Sequence, residues 1–541
     1  MKNKWHYAMG AVLLIMAVFI SFYYKFNSAP ASVAVASPEP VATTTPTNVV
    51  IATITVPLLT VTPTNIPATA TPTPTSTSTD VLPTATFTHH VAMATATDTI
   101  TKPTPSAGVK VYETTLSLPT YPFANYLSQE VDPLYNMPLF YLNRSEYEAS
   151  SPQAIPTNYQ AVVLENAYLR LTFIPSLGGR LYSARVKATG QEVFYHNAVV
   201  KPSVYGPLPS KNGVNPNWWL ATGGMEWAYP VQEHGYRWGI PWTYRLKQTS
   251  RSATIILSDV AADRVGMEVA ITLSADSATF LVNPRLINHD VKAVPLQGWL
   301  NAALALGAGS MSPQTQFVIP IKTVTVHSRG EAGWAVPDAH HEVSWPLIGQ
   351  TDLREYYQWA NYLGIFMPNL PAPFMGAYNP DTDLAVARLI EPGQVAGNKL
   401  FAFSQTFRDR SYTNDASQYF EIWGGLNRGF WAEDDVWVAP GETLTWQEQW
   451  WPLAQLGGLT WANSHTAIHL TPAGADYTLT ALFSRLRQGK LIVSSGNELI
   501  LTEPFSANPT QPLSWKFTAP GEALRIQFSD NSQEVLLDFA R

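Results

Sequence analysis

Residues 165–181 open as Glu165-Asn166-Ala167-Tyr168-Leu169-Arg170-Leu171-Thr172-Phe173-Ile174-Pro175 and run on into Leu177-Gly178-Gly179-Arg180-Leu181. From Leu169 to Phe173, apolar side chains alternate with Arg170 and Thr172, the period-two pattern of a strand with one buried face. Two adjacent glycines then permit a tight turn or a close backbone approach, and Arg180 re-enters a strand. Similar runs recur on both sides. Ala161-Val162-Val163-Leu164 precedes the stretch, and Ala253-Thr254-Ile255-Ile256-Leu257, Thr279-Phe280-Leu281-Val282, Thr323-Val324-Thr325-Val326 and Leu384-Ala385-Val386-Ala387 follow it. Gly, Pro, Asn and Asp punctuate them. No long helical period interrupts the series, so the fold class is all-β, a large antiparallel sandwich or barrel over residues 109–460.

Tryptophan becomes scarce after Gly457-Gly458, but short strands continue, among them Leu491-Ile492-Val493 and Leu524-Arg525-Ile526-Gln527-Phe528. Residues 461–541 are therefore expected to form a small β-sandwich module. The competing reading is that they only cap the large domain.

Working toward the N terminus, residues 29–108 are almost entirely Pro, Thr, Ser, Ala and Val, with Phe87 as the one aromatic residue. Such a segment has too little bulky apolar surface to offset chain entropy, and its prolines keep it extended, so a disordered stalk is expected. Ahead of it, Lys2 and Lys4 precede an uncharged run from Trp5 to Tyr24, closed by Lys25. About 20 residues rising ~1.5 Å each span the ~30 Å hydrocarbon layer. Residues 1–28 thus read as a transmembrane anchor with an inside N terminus. A cleaved signal peptide, with Ala34-Val35-Ala36 as its site, is the alternative. Either reading puts the bulk of the chain outside the cytoplasm, and the first makes it a single-pass protein of the cell membrane.

Composition narrows the partners. The 541 residues carry 46% apolar but only 13% charged residues, with a net charge of −7. That balance offers no basic patch for nucleic acid. With no cysteine there is neither a disulfide framework nor a thiolate metal site. The histidines and glutamates show no spacing such as His-Glu-x-x-His, so neither a metal nor a cofactor is expected.

Four features carry chemistry. The chain has 18 tryptophans, and all but Trp5 lie from Trp218 onward. Most should be core, while Trp219, Trp227 and Trp423 are candidates to line a pocket, because indole stacks on the apolar C–H faces of sugar rings. Arg180 is either a structural residue after its turn or a fork that grips ligand oxygens. Thr222-Gly223-Gly224-Met225-Glu226-Trp227, followed by Glu233-His234-Gly235-Tyr236, sets a carboxylate and an imidazole in a glycine-rich stretch. It is either a surface loop or a site, and there Glu226 and His234 can share acid–base work. His196, His327, His340 and His341 are further histidines of note, the last two read as structural. Finally, Tyr419-Phe420-Glu421-Ile422-Trp423 holds a glutamate in an apolar strand. Alternation sets Glu421 with Tyr419 and Trp423, opposite Phe420 and Ile422. A sugar site and a pairing with a structural arginine both account for it.

These pieces, in order with Trp299-Leu300-Asn301-Ala302-Ala303, Val326-His327-Ser328 and the closing Gly441-Glu442-Thr443 to Pro452, resemble an uncharacterised bacterial domain family. That family belongs to the galactose-mutarotase-like, or aldose 1-epimerase-like, superfamily. The resemblance covers about Leu164 to Leu459. It implies an antiparallel supersandwich with a sugar-binding face, and a late glutamate acting as base on the anomeric hydroxyl, matched by Glu421. It also departs from the mutarotases: Asn301 stands in the region where their acid histidine is found, so His234 or His327 would have to replace it.

The expected function is therefore carbohydrate binding by a membrane-anchored extracytoplasmic protein, with or without epimerase-like or glycoside-processing chemistry. If the protein acts on the sugar, Glu421 is base or nucleophile and Glu226 or His234 is the acid. Arg180, Asn301 and His327, with Trp219, Trp227 and Trp423, form the binding shell. The rival is a structural or adhesive envelope protein. A binder should gather Arg180, Glu226, His234, His327 and Glu421 at one cleft, and an envelope protein should scatter them.

Overall fold

The computed structural model describes residues 108–541 apart from 210–216 and the single positions 332, 369, 520 and 522. The expected anchor and stalk fall on residues 1–107, outside the described residues, save Gly108. Among the described residues, no helix is long and apolar enough to cross a membrane. The one α-helix described, Arg144–Ala149, is short and is capped by Asn143.

Strands dominate the rest, antiparallel except where Lys110–Thr120 meets His196–Pro202, as the alternation predicts. A thirteen-stranded sheet runs Glu342–Ser344, Thr323–Arg329, Leu363–Phe366, Gly397–Ala402, Phe420–Gly425, Trp299–Leu304, Met225–Ala228 and Arg180–Val186. It continues through Leu169–Ile174, Ile155–Glu165, Lys110–Thr120, His196–Pro202 and Leu220–Gly223. A nine-stranded sheet holds Val265–Ser274, Phe280–Asn288, Glu448–Ala454, Leu384–Leu389 and Phe374–Asn379 near its middle. The inward residues of both sheets, such as Leu171, Leu181, Leu300 and Ile422 from the first and Val269, Val282 and Val386 from the second, belong to one apolar cluster. At roughly 25 cal/mol per Å² of apolar surface removed from water, this shared core is the main stabilising term.

One polar group crosses that core. Arg388, fully buried, donates from Nε and Nη2 to the carboxylate of Glu448 at 2.6 and 2.8 Å, and from Nη1 to Asn398 Oδ1. Trp446 and Trp450 donate their indole N–H groups to the same carboxylate. Asn398 belongs to the thirteen-stranded sheet and Arg388 and Glu448 to the nine-stranded one, so the network ties the two sheets at a fixed offset.

Residues 461–541 form two further four-stranded sheets around an apolar cluster of their own, including Leu479, Phe483, Val493, Ile526 and Phe528. Ala462, Ala467 and Leu482 pack with Phe374, Ala387 and Trp451, which face away from the main core. This part of the chain thus covers the back of the nine-stranded sheet.

Candidate functional site

The site lies on the outer face of the thirteen-stranded sheet, and strand register assembles it. Asn301 pairs with Glu226 on one side and Trp423 on the other. The next strand sets Lys399 opposite Trp423 and Phe401 opposite Glu421. Because directly opposed residues share a face, Arg180, Glu226, Asn301, Glu421 and Lys399 form a polar row across five neighbouring strands. Their chain neighbours Leu181, Leu300, Ile422 and Leu400 point into the core.

Backbone geometry explains the glycines. Gly178 has a φ of +69°, and a Cβ there would lie 2.5 Å from the Trp238 carbonyl oxygen. The turn that delivers Arg180 therefore requires glycine. Gly235, at +61°, lies against the Tyr229 backbone in the same way, and it fixes the loop that carries His234.

Glu226 is 3% exposed and holds four partners. Arg180 Nη2 donates to Oε2 at 2.8 Å and Trp219 Nε1 to the same oxygen at 3.1 Å. His234 Nδ1 lies 2.6 Å from Oε1, and Asn301 Nδ2 donates to that oxygen at 3.4 Å. Burial works to raise the Glu226 pKa, but Arg180 and His234 outweigh it and hold the carboxylate down at about 2. Glu226 is thus a fixed anion. As a general acid it would need its proton near neutral pH, so that expected role is corrected to one of orienting His234. The imidazole shows the reciprocal effect: burial lowers its pKa, the charge and hydrogen bond of Glu226 more than compensate, and the net shift is upward. Its ring stacks on Trp219 at 4.2 Å and leans on Trp423 at 5.7 Å.

Glu421 accepts from Asn301 Nδ2 at 3.0 Å and from Trp423 Nε1 at 2.9 Å. Among the described residues no arginine pairs with it; its partners are Asn301 and Trp423. Asn301 bridges both carboxylates with one NH₂ group, while its own Oδ1 is buried without a hydrogen-bond partner among the described residues.

These groups open on a cleft of about 430 Å³, lined among others by Trp219, His234, His327, Lys399, Glu421 and Trp423. That is an ordinary size for a small-ligand site. Beside it, Arg180, Glu226, Asn301 and Tyr419 wall a cavity of about 10 Å³, no more than the space a single water needs. His327 sits at the far side of the cleft with its ring edge-on to Phe366 and Phe430. Burial first, then the charges of Lys399 and His340, push its pKa down to about 3, so it is neutral and suited to hydrogen bonding rather than proton donation. His340 instead stacks on Trp431 at 4.0 Å, and His196 stacks on Tyr182 at 4.2 Å.

Two expectations are corrected here. Trp227 does not reach the cleft: it is 1% exposed, lies in the main core and donates to the Gly179 carbonyl. As the residue after Glu226 on a strand, it must face the other way. Nor is Thr222 to Trp227 a loop, because Leu220–Gly223 and Met225–Ala228 are wholly buried strands.

Lys399 is the principal residue that sequence reading missed. It is a lone lysine in the otherwise uncharged run Gly397-Asn398-Lys399-Leu400-Phe401-Ala402. Glu233, Tyr412 and Tyr419 also line the cleft.

Comparison with known proteins follows the same lines. A family described as a domain of unknown function (DUF5107) matches residues 135–453. A crystal structure of a TPR-domain-containing protein from Parabacteroides distasonis is similar at 21% identity and a TM-score of 0.50. The match covers 64% of this chain and 56% of that one, so the chain spans little more than half of that relative. A protein of Synechocystis is similar at 13% identity and TM-score 0.39, over 54% of this chain and 95% of its own. A galactose mutarotase-like protein from Clostridium acetobutylicum gives 11%, 0.35, 54% and 95% on the same measures. The resemblance read from the sequence, to an uncharacterised domain family over about Leu164 to Leu459, is met by this family match.

Proposed function

The chain belongs to the DUF5107 family, and from that premise we propose that its cleft binds a carbohydrate and performs acid–base chemistry at the anomeric centre. One observation carries this reading. An imidazole oriented by a buried carboxylate, and a second carboxylate oriented by Asn301 and Trp423, open on the same aromatic-walled cleft. Glu421 takes the proton of the anomeric hydroxyl while His234 gives one to the ring oxygen. The bond from the anomeric carbon to the ring oxygen breaks, and an open-chain aldehyde forms. Rotation and reversal of both proton transfers close the ring as the other anomer. Trp219 and Trp423, both nearly covered, hold His234 and Glu421 in place rather than stack on the sugar, the half-buried rings of Phe401 and Phe407 supply stacking surface, and neutral His327 binds a hydroxyl.

Glycoside hydrolysis is disfavoured by Glu226. Paired carboxylates about 5–9.5 Å apart serve that reaction only if one carries a proton, and Arg180 holds Glu226 ionised. The envelope-protein alternative predicted scattered groups, each with local partners. Instead His234, His327 and Glu421 line one cleft, with Arg180 and Glu226 directly beside it.

The test is a glycan array probed with the purified protein. Wild type should retain at least one saccharide and Trp219→Ala should retain none. An empty array for folded wild-type protein would return the cleft to a structural role.

The cellular setting is proposed on the sequence alone: an anchor over 1–28 and a stalk over 29–108 hold the domain outside the cytoplasm. Protease added to intact cells should then remove the domain. Full protection, with digestion only after lysis, would refute that placement.

A further inference from the structure

Almost every charged group in and beside the cleft has its partner. Arg180, Glu226 and His234 form one linked set. Glu421 accepts two hydrogen bonds. Glu233, half-buried at the rim, and Lys399 are the exceptions among the described residues, and Lys399 is the buried one. It is 3% exposed, and among the described residues its ammonium forms neither a hydrogen bond nor an ion pair. Its surroundings are aromatic: Nζ lies 4.6 Å from the Trp423 ring centre, 5.0 Å from Phe430 and 5.2 Å from Phe401. Rings attract a cation weakly compared with water or a carboxylate. A buried ammonium left in that state is costly. Burial accordingly pushes its pKa down to about 8, opposed by the charges of Glu421 and Glu233, so it still carries its proton at neutral pH. Three donors therefore face the cleft unanswered, next to the base.

Resting on the proposed carbohydrate reading, we infer that the saccharide bound here bears an anionic substituent, a carboxylate or a sulfate ester, and that Lys399 receives it. Such a group supplies acceptor oxygens directly to an ammonium that Glu421 and Glu233 influence only through their charge, without a hydrogen bond. The aromatic rings around Nζ leave it little contact with bulk water, so the pairing is stronger there than on the surface. A neutral sugar fills the same volume but leaves the ammonium unpaired. Selectivity for anionic sugars over neutral ones follows from that difference.

The experiment titrates methyl glucosides and methyl galactosides, each as the neutral sugar, the C6 uronate and the 6-sulfate. They are added to the full-length protein and to Lys399→Met and Lys399→Arg, with tryptophan fluorescence as the readout. Wild type should bind one anionic form at least about tenfold more tightly than its neutral parent. Preference for the uronate identifies a carboxylate as the substituent, and preference for the sulfate identifies a sulfate ester. Lys399→Met should bring the ratio to about one, and Lys399→Arg should keep most of it. Because Lys399→Met removes an unpaired buried charge, its thermal midpoint should not fall below wild type, which separates lost selectivity from lost folding. Equal or better binding of the neutral sugars by wild type overturns the inference and leaves the carbohydrate reading standing. A preference that survives in Lys399→Met also overturns it. Binding of none of the sugars overturns both.

Discussion

Glu421→Gln is expected to bind the saccharide found on the array with nearly wild-type affinity, while interconverting its anomers about 10²–10⁴-fold more slowly, the usual contribution of a positioned acid or base. Glutamine keeps the volume and one acceptor for the N–H groups of Asn301 and Trp423, so the cleft should not collapse. What it loses is the capacity to take a proton. Anomer exchange followed by NMR, at saturating sugar, separates this from weakened binding. The pH profile adds an independent check. His234 acts as the acid only while protonated, and Glu226 raises its pKa. The sign is therefore fixed: the rate stays high through the pH range just above an ordinary histidine pKa and declines as pH rises through the elevated value. Disrupting the pair with Glu226→Gln should move that decline to lower pH.

Glu448→Gln should be the most destabilising single change outside the site. It would leave the guanidinium of Arg388 buried between two sheets with its carboxylate counter-charge gone and two indole donors competing for one acceptor. Breaking a buried pair by removing one partner typically costs about 3–5 kcal/mol. Denaturant unfolding of wild type and variant checks this, the shift in midpoint being read at constant slope. The double replacement Arg388→Met with Glu448→Leu should recover part of the loss, because the charge that needed a partner is then absent. A Glu448→Gln protein as stable as wild type would mean that the network is not holding the sheets.

The two residues also show what a single sequence can and cannot reveal. Glu421 and Glu448 look alike on paper: each is a glutamate in an apolar strand with a tryptophan two residues on. In space, one faces the outer cleft and the other the inner core. Strand alternation assigns each a face relative to its neighbours but does not say which face is the core. The Gly178-Gly179 turn and the placement of Arg180 beyond it were legible, because positive φ and close approach leave a residue-type signature. The all-β class was legible for the same local reason. The polar row was not, since it depends on which strands become neighbours: Arg180, Glu226, Asn301, Lys399 and Glu421 come from five strands whose pairings follow no local pattern. Trp227 was misplaced although alternation could have excluded it. The glycines of Thr222-Gly223-Gly224 suggested a loop, and in a loop the rule does not apply. Lys399 was overlooked because its chemistry exists only through the rings that other strands bring around it.

The central claim is that a sugar occupies this cleft, and calorimetric titration of the array-selected saccharide into wild type and Trp423→Ala tests it most directly. One site per chain is expected in wild type, with at least a tenfold loss of affinity in the variant, because Trp423 packs under Lys399 in the cleft wall and orients Glu421. Unchanged affinity in a folded Trp423→Ala protein would place the sugar elsewhere on the molecule and contradict the account.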